Sequence, residues 1–505
     1  MIQQNGGTYQ SYTWQGLDLT SEPQTVDYEF TMEKDTDIMA RLVFNCGIQN
    51  GKDLEPHTIY LDNVSVELVD DSNADTSGND IYEPPIVTNQ LGYRTNAIKT
   101  AVFENADSES KFSVVNADTE EVVYTGSLSN AVDCTFSGES NRTGDFTAVT
   151  EPGSYYITCG ELDKSYTFEI SDSVYDSALE DSVRMLYLQR CGCAVEDDTF
   201  GHSACHTSMA TVYGTNEKID VSGGWHDAGD YGRYVVPAAK TAADLFYAYQ
   251  TAPQLYGDDT GIPESGNGVP DILDEIRYAL EWMQKMQTES GGVHHKVSCA
   301  SFPGYVMPEK ETAELIVTPV STTATADFCG SMALAYEFFM EYDVAFAEKC
   351  LAAAEKAWTF LEANPNLIFT NPSDISTGSY GDGNDKDERY WAAAQMWRAT
   401  GEEKYLTAVE SIGVKTGMDT ANFGDYGNIA ILTMDGIDTS LSVYTNAKNS
   451  ILQSAKSHLA DSQNNPFGFS VTQHYKNGWG SNMKAGNQGV SDGVCVPADR
   501  RAEIS

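Results

Sequence analysis

The hydrophobic pattern of the chain changes its period near residue 175. Before that point apolar and polar residues alternate, as in VDYEFTM and TIYLDNVSVELV, which predicts β-strands. After it the period is 3.6. In PDILDEIRYALEWMQKMQ the apolar side chains share one face, and Pro270 suits a first helical turn. The 505 residues are therefore predicted to form several domains, with all-β modules first and an all-α domain after them.

Composition and turn signals divide the chain into five parts. Residues 1–70 are rich in strands, and residues 71–83 form an acidic linker without large apolar side chains. Residues 84–172 have the length of a small immunoglobulin-like sandwich. Residues 483–505 show no helical period. Residues 173–482, between the sandwich and this tail, contain helical hairpins in series, which are typical of an α/α toroid or a solenoid. Besides the helix after Pro270, helices are predicted near 177–190, 237–251, 323–341, 344–363, 387–400, 402–413, 426–434 and 439–460.

The charge balance excludes several classes of partner. The chain has 75 acidic and 30 basic residues, a net charge of −45, which repels nucleic acid and anionic membranes. No apolar stretch is long enough to span a bilayer, and the opening MIQQNGGTYQ lacks the apolar core of a signal peptide. The composition suits a protein that acts on an uncharged polymer.

The run GGWHDAGDYGRY, residues 223–234, carries the clearest chemical signal. Asp227 and Asp230 are three positions apart around Ala-Gly, so two carboxylates can face one small site. Such a pair can hold a water molecule and remove its proton, as glycoside hydrolysis requires. The alternative is a polar loop with an Asx turn before a helix.

This run resembles the signature of glycoside hydrolase family 9, the inverting β-1,4-glucanases, and NQLGY before a sandwich resembles one branch of that family. The resemblance implies an (α/α)6 toroid that hydrolyses cellulose or a related β-1,4-glucan without a covalent intermediate. It implies that Asp230 is the general base and that Asp227 helps to hold the water. It also implies substrate contact by His295 in GGVHHKVS and stacking of Trp225, Tyr231 or Trp479 on sugar rings, whereas the alternatives are a surface histidine and core aromatics.

A second cluster suits a metal ion. Cys191, Cys205, His206 and His226 make a Cys₂His₂ set appropriate for tetrahedral, structural zinc. Some enzymes of the resembled family bind zinc with matching residues. Cys193 leaves the choice of thiolate ligands open, and the alternative is a set of unligated cysteines and surface histidines.

Two oxygen-rich loops, PESGNGVPDILDE and YGDGNDKDERYW, suit a hard cation such as calcium. Members of the resembled family often carry calcium. The alternative is that these acids lie at helix N-termini, where the macrodipole favours them.

Both ends of the chain depart from a complete enzyme of that family. Residues 1–70 resemble the C-terminal half of a family 4-type carbohydrate-binding module, which predicts a secreted protein whose signal peptide is lost by N-terminal truncation. After Asn482 the family would continue with further helices, a His/Arg substrate motif and the general-acid glutamate, none of which is found here. A frameshift is predicted, because reading GVSDGVCVPADR one base later can give the amphipathic VSLMAFAYLLTG. The toroid is therefore expected to be incomplete.

Two alternative functions follow from this expectation. Without the general acid, the chain is a catalytically dead carbohydrate-binding fragment. A purely structural scaffold is disfavoured because it gives no reason for the HDAGD sequence.

Overall fold

A computed structural model describes residues 1–3, 11–17, 20–31, 41–44, 64–65, 69, 84–106, 109–134, 138–470 and 480–494. The chain divides into two units, Met1–Glu83 and Pro84–Ser505. In the first unit an antiparallel sheet has the order β2-β1-β3, from β1 (Ile2–Gln3), β2 (Ser11–Thr13) and β3 (Arg41–Leu42). Most of the predicted carbohydrate-binding module, the whole linker, Trp479 and residues 495–505 lie outside the described residues, so those predictions stay predictions.

The second unit opens with a β-sandwich that confirms the immunoglobulin-like prediction. Two antiparallel sheets have the orders β4-β5-β9-β8 and β11-β10-β6-β7. Alternate side chains point inward, and Phe103, Phe112, Phe146 and Phe168 form the core. The strands are β4 (Ile86–Val87), β5 (Thr100–Glu104), β6 (Lys111–Asn116), β7 (Val122–Ser127), β8 (Val132–Asp133), β9 (Ser140–Asp145), β10 (Gly153–Thr158) and β11 (Phe168–Ile170).

The predicted helical domain follows the sandwich. Within the described residues it has α1 (Asp176–Leu188), α2 (Val235–Thr251), α3 (Asp271–Lys285), α4 (Thr322–Phe339), α5 (Val344–Ala363), α6 (Lys386–Thr400), α7 (Glu403–Ile412), α8 (Gly424–Leu432), α9 (Ser442–Gln463) and α10 (Ser481–Val494). The first nine match predicted helices. No helix in the described residues has the length and apolar character needed to cross a bilayer.

Helix α10 contradicts the prediction that residues after 482 have no helical structure. Its small and polar residues hide the 3.6 period, but it packs against α9, α8 and α2. Asn487 is buried in that contact: its amide donates to the Met418 carbonyl at 2.7 Å and its oxygen accepts from Lys240 at 2.9 Å. The buried amide of Asn487, together with the partly buried side chain of Val490, thus docks this helix on the domain.

Helix α4 lies at the centre of the domain and packs on α2, α5 and α6. Almost all of its residues are buried, which explains its lack of a polar face. The hydroxyl of Ser321 caps it by accepting from Ala324 N at 3.1 Å. Gly330 allows α6 to approach closely, because a Cβ there would lie 2.7 Å from the Trp391 indole. The tight contact of these helices therefore requires glycine.

Short strands between the helices carry the site. A five-stranded sheet has the order β13-β12-β17-β16-β14, and β15 pairs with β18. In it, β14 and β16 are antiparallel, with Tyr234 opposite Lys296. The strands are β12 (Ala210–Val212), β13 (Lys218–Ile219), β14 (Arg233–Tyr234), β15 (Val293–His294), β16 (Lys296–Ser298), β17 (Ile316–Val317) and β18 (Val320–Ser321).

Candidate active site and metal centre

The loop of residues 223–232 follows β13 and leads into β14, and hydrogen bonds fix it to the residues just after α1. Gly224, near its start, has a φ of +76°, and a Cβ at this position would lie 2.6 Å from the Trp282 indole, so the turn requires glycine. His226 N donates to the Gln189 carbonyl at 2.8 Å, and Asp227 N donates to the Gly232 carbonyl at 2.9 Å. These bonds hold both carboxylates of the loop in a fixed backbone frame.

Each of the two carboxylates is held by one phenol. Tyr234 donates to Asp230 Oδ2 at 2.6 Å, and Tyr380 donates to both oxygens of Asp227 at 2.9 Å. The two phenol rings meet edge to face with their centroids 4.8 Å apart. Asp230 Oδ1 is buried and accepts no hydrogen bond from any residue that the structure describes. One acceptor of the pair is therefore available for a proton.

The two carboxylates influence each other electrostatically. Asp227 is exposed, but the surrounding protein partly desolvates its carboxyl. This desolvation and the charge of Asp230 raise the carboxyl pKa to about 6, although the hydrogen bond from Tyr380 acts to lower it. Burial and the hydrogen bond to Asp230 raise the pKa of Tyr234, so this phenol stays protonated as a donor. A carboxyl that titrates near neutrality is typical of acid–base sites.

His295 does not face solvent. It has no exposed surface, its ring stacks on Phe369 at 3.9 Å, and its Nε2 lies 2.9 Å from the Ser379 carbonyl and 3.2 Å from that of Tyr380. Direct contact with a polysaccharide would require the segment carrying Tyr380 to move away. The predicted substrate contact is untested, and in this geometry His295 supports Tyr380 from behind.

The aromatic residues predicted to stack on sugars have other contacts here. Trp225 is buried and donates to Glu275 at 3.3 Å, so it offers no face to a ligand. Tyr231 is half-buried, with a φ of +54°, and its ring lies 5.0 Å from that of His226. Its hydroxyl donates to the Val306 carbonyl. Tyr231 thus joins the loop to the segment around residue 306, and its contact with substrate stays a prediction.

The structure brings together the four predicted metal ligands. Cys191, Cys205, His206 and His226 are buried, and their donor atoms all lie within 4.8 Å of one another. Cys205 Sγ is 4.0 Å from Cys191 Sγ and 3.5 Å from His226 Nε2. Ligands at about 2.3 Å around a tetrahedral zinc ion stand about 3.7 Å apart, so the donor set fits such an ion.

The protonation pattern also suits a metal. The hydrogen bond from the Cys191 thiol lowers the pKa of Cys205 to about 2, so this sulfur is a thiolate. Hydrogen bonds with both imidazoles lower this pKa further, while burial acts to raise it. His206 Nε2 lies 3.1 Å from a Glu311 oxygen, while its buried Nδ1 has no hydrogen-bond partner in the described residues. A carboxylate that orients the second nitrogen is the usual support for a metal-bound histidine. Cys193 is not among the four clustered donors.

A second cluster of donors lies in the predicted loop YGDGNDKDERYW. The carboxylates of Asp382, Asp387 and Glu388 have oxygens within 4.8 Å of one another. Asp327 of α4 is fully buried beside them, with neither oxygen hydrogen-bonded to a described residue. Burial, and then repulsion from Asp327 and Asp387, raises the pKa of Glu388 to about 11. Among the described residues no lysine or arginine pairs with this group.

The other predicted calcium loop uses its acids differently. Asp271 accepts hydrogen bonds from Thr260 and Ser265, and Asp274 accepts one from the Asn267 amide at 3.0 Å. Glu275 pairs with Arg190 at 2.9 Å. Within the described residues this loop forms no three-donor cluster, and its acids are instead paired with protein groups, although Asp271 Oδ1 has no hydrogen-bond partner among those residues.

Comparison with known proteins decides the family. The family model described as glycosyl hydrolase family 9 matches residues 175–494, and the one described as cellulase N-terminal ig-like domain matches residues 82–164. The chain belongs to glycosyl hydrolase family 9. The match includes residues 483–494, so likeness to family 9 extends past residue 482, where the sequence analysis ended it.

Among family 9 proteins, Endoglucanase D of Acetivibrio thermocellus is 36% identical over 417 residues, covering 79% of this chain and 66% of that protein. The cellodextrinase of Butyrivibrio fibrisolvens is 34% identical, with 79% and 76% covered. The crystal structure of a metagenome-derived family 9 endoglucanase superposes with a TM-score of 0.76 at 33% identity, covering 83% of this chain and 80% of that one. The chain thus spans just under two thirds of Endoglucanase D.

Three parts of the site escaped the sequence analysis. Tyr234 lies inside the signature run, four positions after Asp230. Neither helical nor strand periodicity predicts the hydrogen bond between these two side chains. Tyr380 is 153 positions from Asp227, and Glu311 is 105 positions from His206. Only the TGSYGDG turn, rich in glycine around a tyrosine, was a local signal for Tyr380.

Proposed function

We propose that this family 9 chain hydrolyses β-1,4-glucosidic bonds of cellulose or a related β-glucan with inversion of configuration. The observation that carries the proposal is the pair Asp227 and Asp230, each oriented by a phenol, with Asp230 Oδ1 left without a hydrogen-bond partner among the described residues. Relatives named endoglucanase and cellodextrinase support the substrate class. Because such a polymer does not enter cells, we also propose that the protein acts outside the cell.

Each residue has one role in this mechanism. Asp230 accepts a proton from a water molecule through Oδ1 while Tyr234 holds Oδ2, so the carboxylate cannot rotate away. Asp227, fixed by Tyr380, orients the same water. The water attacks the anomeric carbon in a single displacement as the glycosidic C–O bond breaks, so no nucleophilic side chain is needed and the linkage is inverted. The leaving glucosyl oxygen must take a proton from a general acid, a role that is assigned to no described residue here.

We propose structural zinc at Cys191, Cys205, His206 and His226. The solved structure of a Zn-binding triple mutant of a family 9 endoglucanase, 31% identical with a TM-score of 0.74, supports zinc in this fold. When bound, zinc adds its binding free energy to folding. The four side chains would join the end of α1 to the catalytic loop, since His226 directly precedes Asp227.

We propose calcium at Asp327, Asp382, Asp387 and Glu388. Four neighbouring carboxyls with little access to water are unfavourable unless they are protonated or bind a cation. Carboxylate oxygens are the ligands that calcium prefers.

The hydrolysis proposal is tested with the purified 505-residue chain on carboxymethyl cellulose and cellohexaose. We expect new reducing ends, the α-anomer first in an NMR time course, and a loss of about 10²–10⁴-fold in kcat for Asp230→Asn. Release of the β-anomer first would contradict the single displacement. Binding to cellulose without any hydrolysis would favour the non-catalytic carbohydrate-binding alternative.

A further inference from the structure

Four consecutive backbone carbonyls, those of residues 377–380, are held by two adjacent buried side chains. Lys296 Nζ donates to the carbonyl of residue 377 at 3.2 Å, to that of residue 378, and to the Thr377 hydroxyl at 2.9 Å. His295 Nε2 faces the carbonyls of residues 379 and 380. Since carbonyls only accept, this Nε2 carries the proton. We call His295 and Lys296 together the carbonyl clamp.

The segment fixed by the carbonyl clamp ends in Tyr380. This residue has a φ of +41°, a conformation that non-glycine residues adopt at a cost. Its hydroxyl nevertheless reaches both oxygens of Asp227 at 2.9 Å. Contacts behind the segment must therefore stabilise the strained position from which Tyr380 orients Asp227.

Lys296 also lies beneath the phenol that holds Asp230. Tyr234 and Lys296 are cross-strand partners in β14 and β16, and the ammonium lies 5.5 Å from the Tyr234 ring centroid. Gly378, whose carbonyl Lys296 binds, packs on the same phenol, because a Cβ at residue 378 would lie 3.2 Å from the Tyr234 hydroxyl oxygen. One side chain thus contacts the supports of both carboxylates.

The cost of burying this lysine indicates more than a packing role. Lys296 has no exposed surface, and within the described part of the chain it forms no ion pair with a carboxylate. Burial lowers its pKa to about 8, opposed by the charge of Asp230. Burying an ammonium whose compensation comes from backbone carbonyls, a hydroxyl and the Tyr234 ring has a large desolvation cost. A methionine would fill the same space without that cost.

We propose that Lys296 is a positioning residue for the hydrolytic pair: it fixes residues 377–380, and so the Tyr380 hydroxyl on Asp227, while supporting Tyr234 against Asp230. This inference rests on the proposed function. Lys296 touches neither the substrate nor the reacting water; it acts through the two phenols.

The test is a double-mutant cycle with Lys296→Met and Tyr380→Phe, measured as kcat and KM on cellohexaose at a temperature where all variants are folded. We expect Lys296→Met to lower kcat by about 10- to 100-fold, as misplacement of reacting groups does, with KM changed less than about threefold. In the Tyr380→Phe background it should cost several-fold less than in the wild type, because only its support of Tyr234 is then left to lose. Lys240→Met removes another buried lysine, bonded to Asp244 and Asn487, and should leave kcat within about twofold.

The outcomes separate this inference from the proposed function. If Asp230→Asn keeps full activity, the proposed function fails. If Asp230→Asn is inactive but Lys296→Met keeps its kcat, or costs the same factor with and without Tyr380, the positioning role is overturned. If Lys296→Met does not fold, Lys296→Gln takes its place in the cycle. Its amide ends one atom short of the lysine ammonium and cannot donate to the carbonyls of both residue 377 and residue 378, so the same losses are expected.

Discussion

Replacing Asp227 with asparagine should make the protein more stable while abolishing its proposed activity. The carboxyl pKa is raised from 3.8 to about 6, chiefly by desolvation. The folded state therefore penalises the ionised form, and stability is lost as the pH rises through about 6. Asparagine keeps the shape and an acceptor for Tyr380 without the charge. The variant should be stabilised above pH 6 and not below about pH 4.

The size of this effect follows from the shift. About two pKa units at 1.36 kcal/mol each give a ceiling of about 3 kcal/mol. Asp227 is exposed, so solvent screening reduces this value, and we expect about 1 kcal/mol at pH 8. A substitution that removes an unfavourable, partly desolvated charge, and so stabilises a protein at the expense of its activity, is an example of the stability–activity trade-off.

The assay is urea unfolding of the catalytic domain at pH 8, 6 and 4, followed by tryptophan fluorescence, for the wild type and Asp227→Asn. Glu348→Gln, which removes an exposed charge on α5, controls for the change in net charge. The expected gain is present at pH 8, smaller at pH 6 and absent at pH 4. An equal gain at pH 8 and pH 4, or a destabilised variant at pH 8, would show that the fold does not penalise the ionised carboxyl of Asp227.

Three other predictions concern pH and metals. The kcat/KM for hydrolysis should fall as the pH drops through about 6, where Asp227 of the free protein becomes protonated. An acid limb below pH 4.5 in the kcat/KM profile would contradict this assignment. Elemental analysis should find about one zinc ion per chain, and Cys205→Ser should bind no zinc and have a Tm several degrees lower. A folded protein that contains no zinc and is not stabilised by added zinc would exclude the site. Added calcium should raise the Tm of the wild type and of the control Glu348→Gln by several degrees, but not the Tm of Glu388→Gln. An equal rise in Tm in both variants would show that Glu388 is not a calcium ligand.

Elements with a strong apolar period were predictable from the sequence. Helices α3 and α5 keep one apolar face through several turns, so their positions followed from local pattern alone. Helix α10 was missed because its contacts depend on Asn487, which docks on Met418 and Lys240. A helix that docks through one amide and one valine shows only a weak hydrophobic pattern in the sequence.

The candidate site was predictable where its chemistry lies in close sequence. The HDAGD run and the Cys–His pair carry their residue types together, so both clusters could be proposed before their geometry was known. The groups that orient them, Tyr380, Lys296 and Glu311, come from elsewhere in the chain. Long-range hydrogen bonds leave no periodic signal, and so these supports are visible only in the fold.

These supports reach the catalytic loop from two sides. On one side His226 lies in the Cys₂His₂ cluster, and its amide N–H donates to the Gln189 carbonyl just after α1. On the other, the carbonyl clamp fixes Tyr380 and supports Tyr234. Between them the loop passes through Tyr231 at a φ of +54°, a conformation that requires support from surrounding contacts. Since Asp227 and Asp230 lie between the two anchors, loss of either anchor should disturb both carboxylates, although among the described residues no side chain of the Cys₂His₂ cluster, nor Lys296, is hydrogen-bonded to either of them.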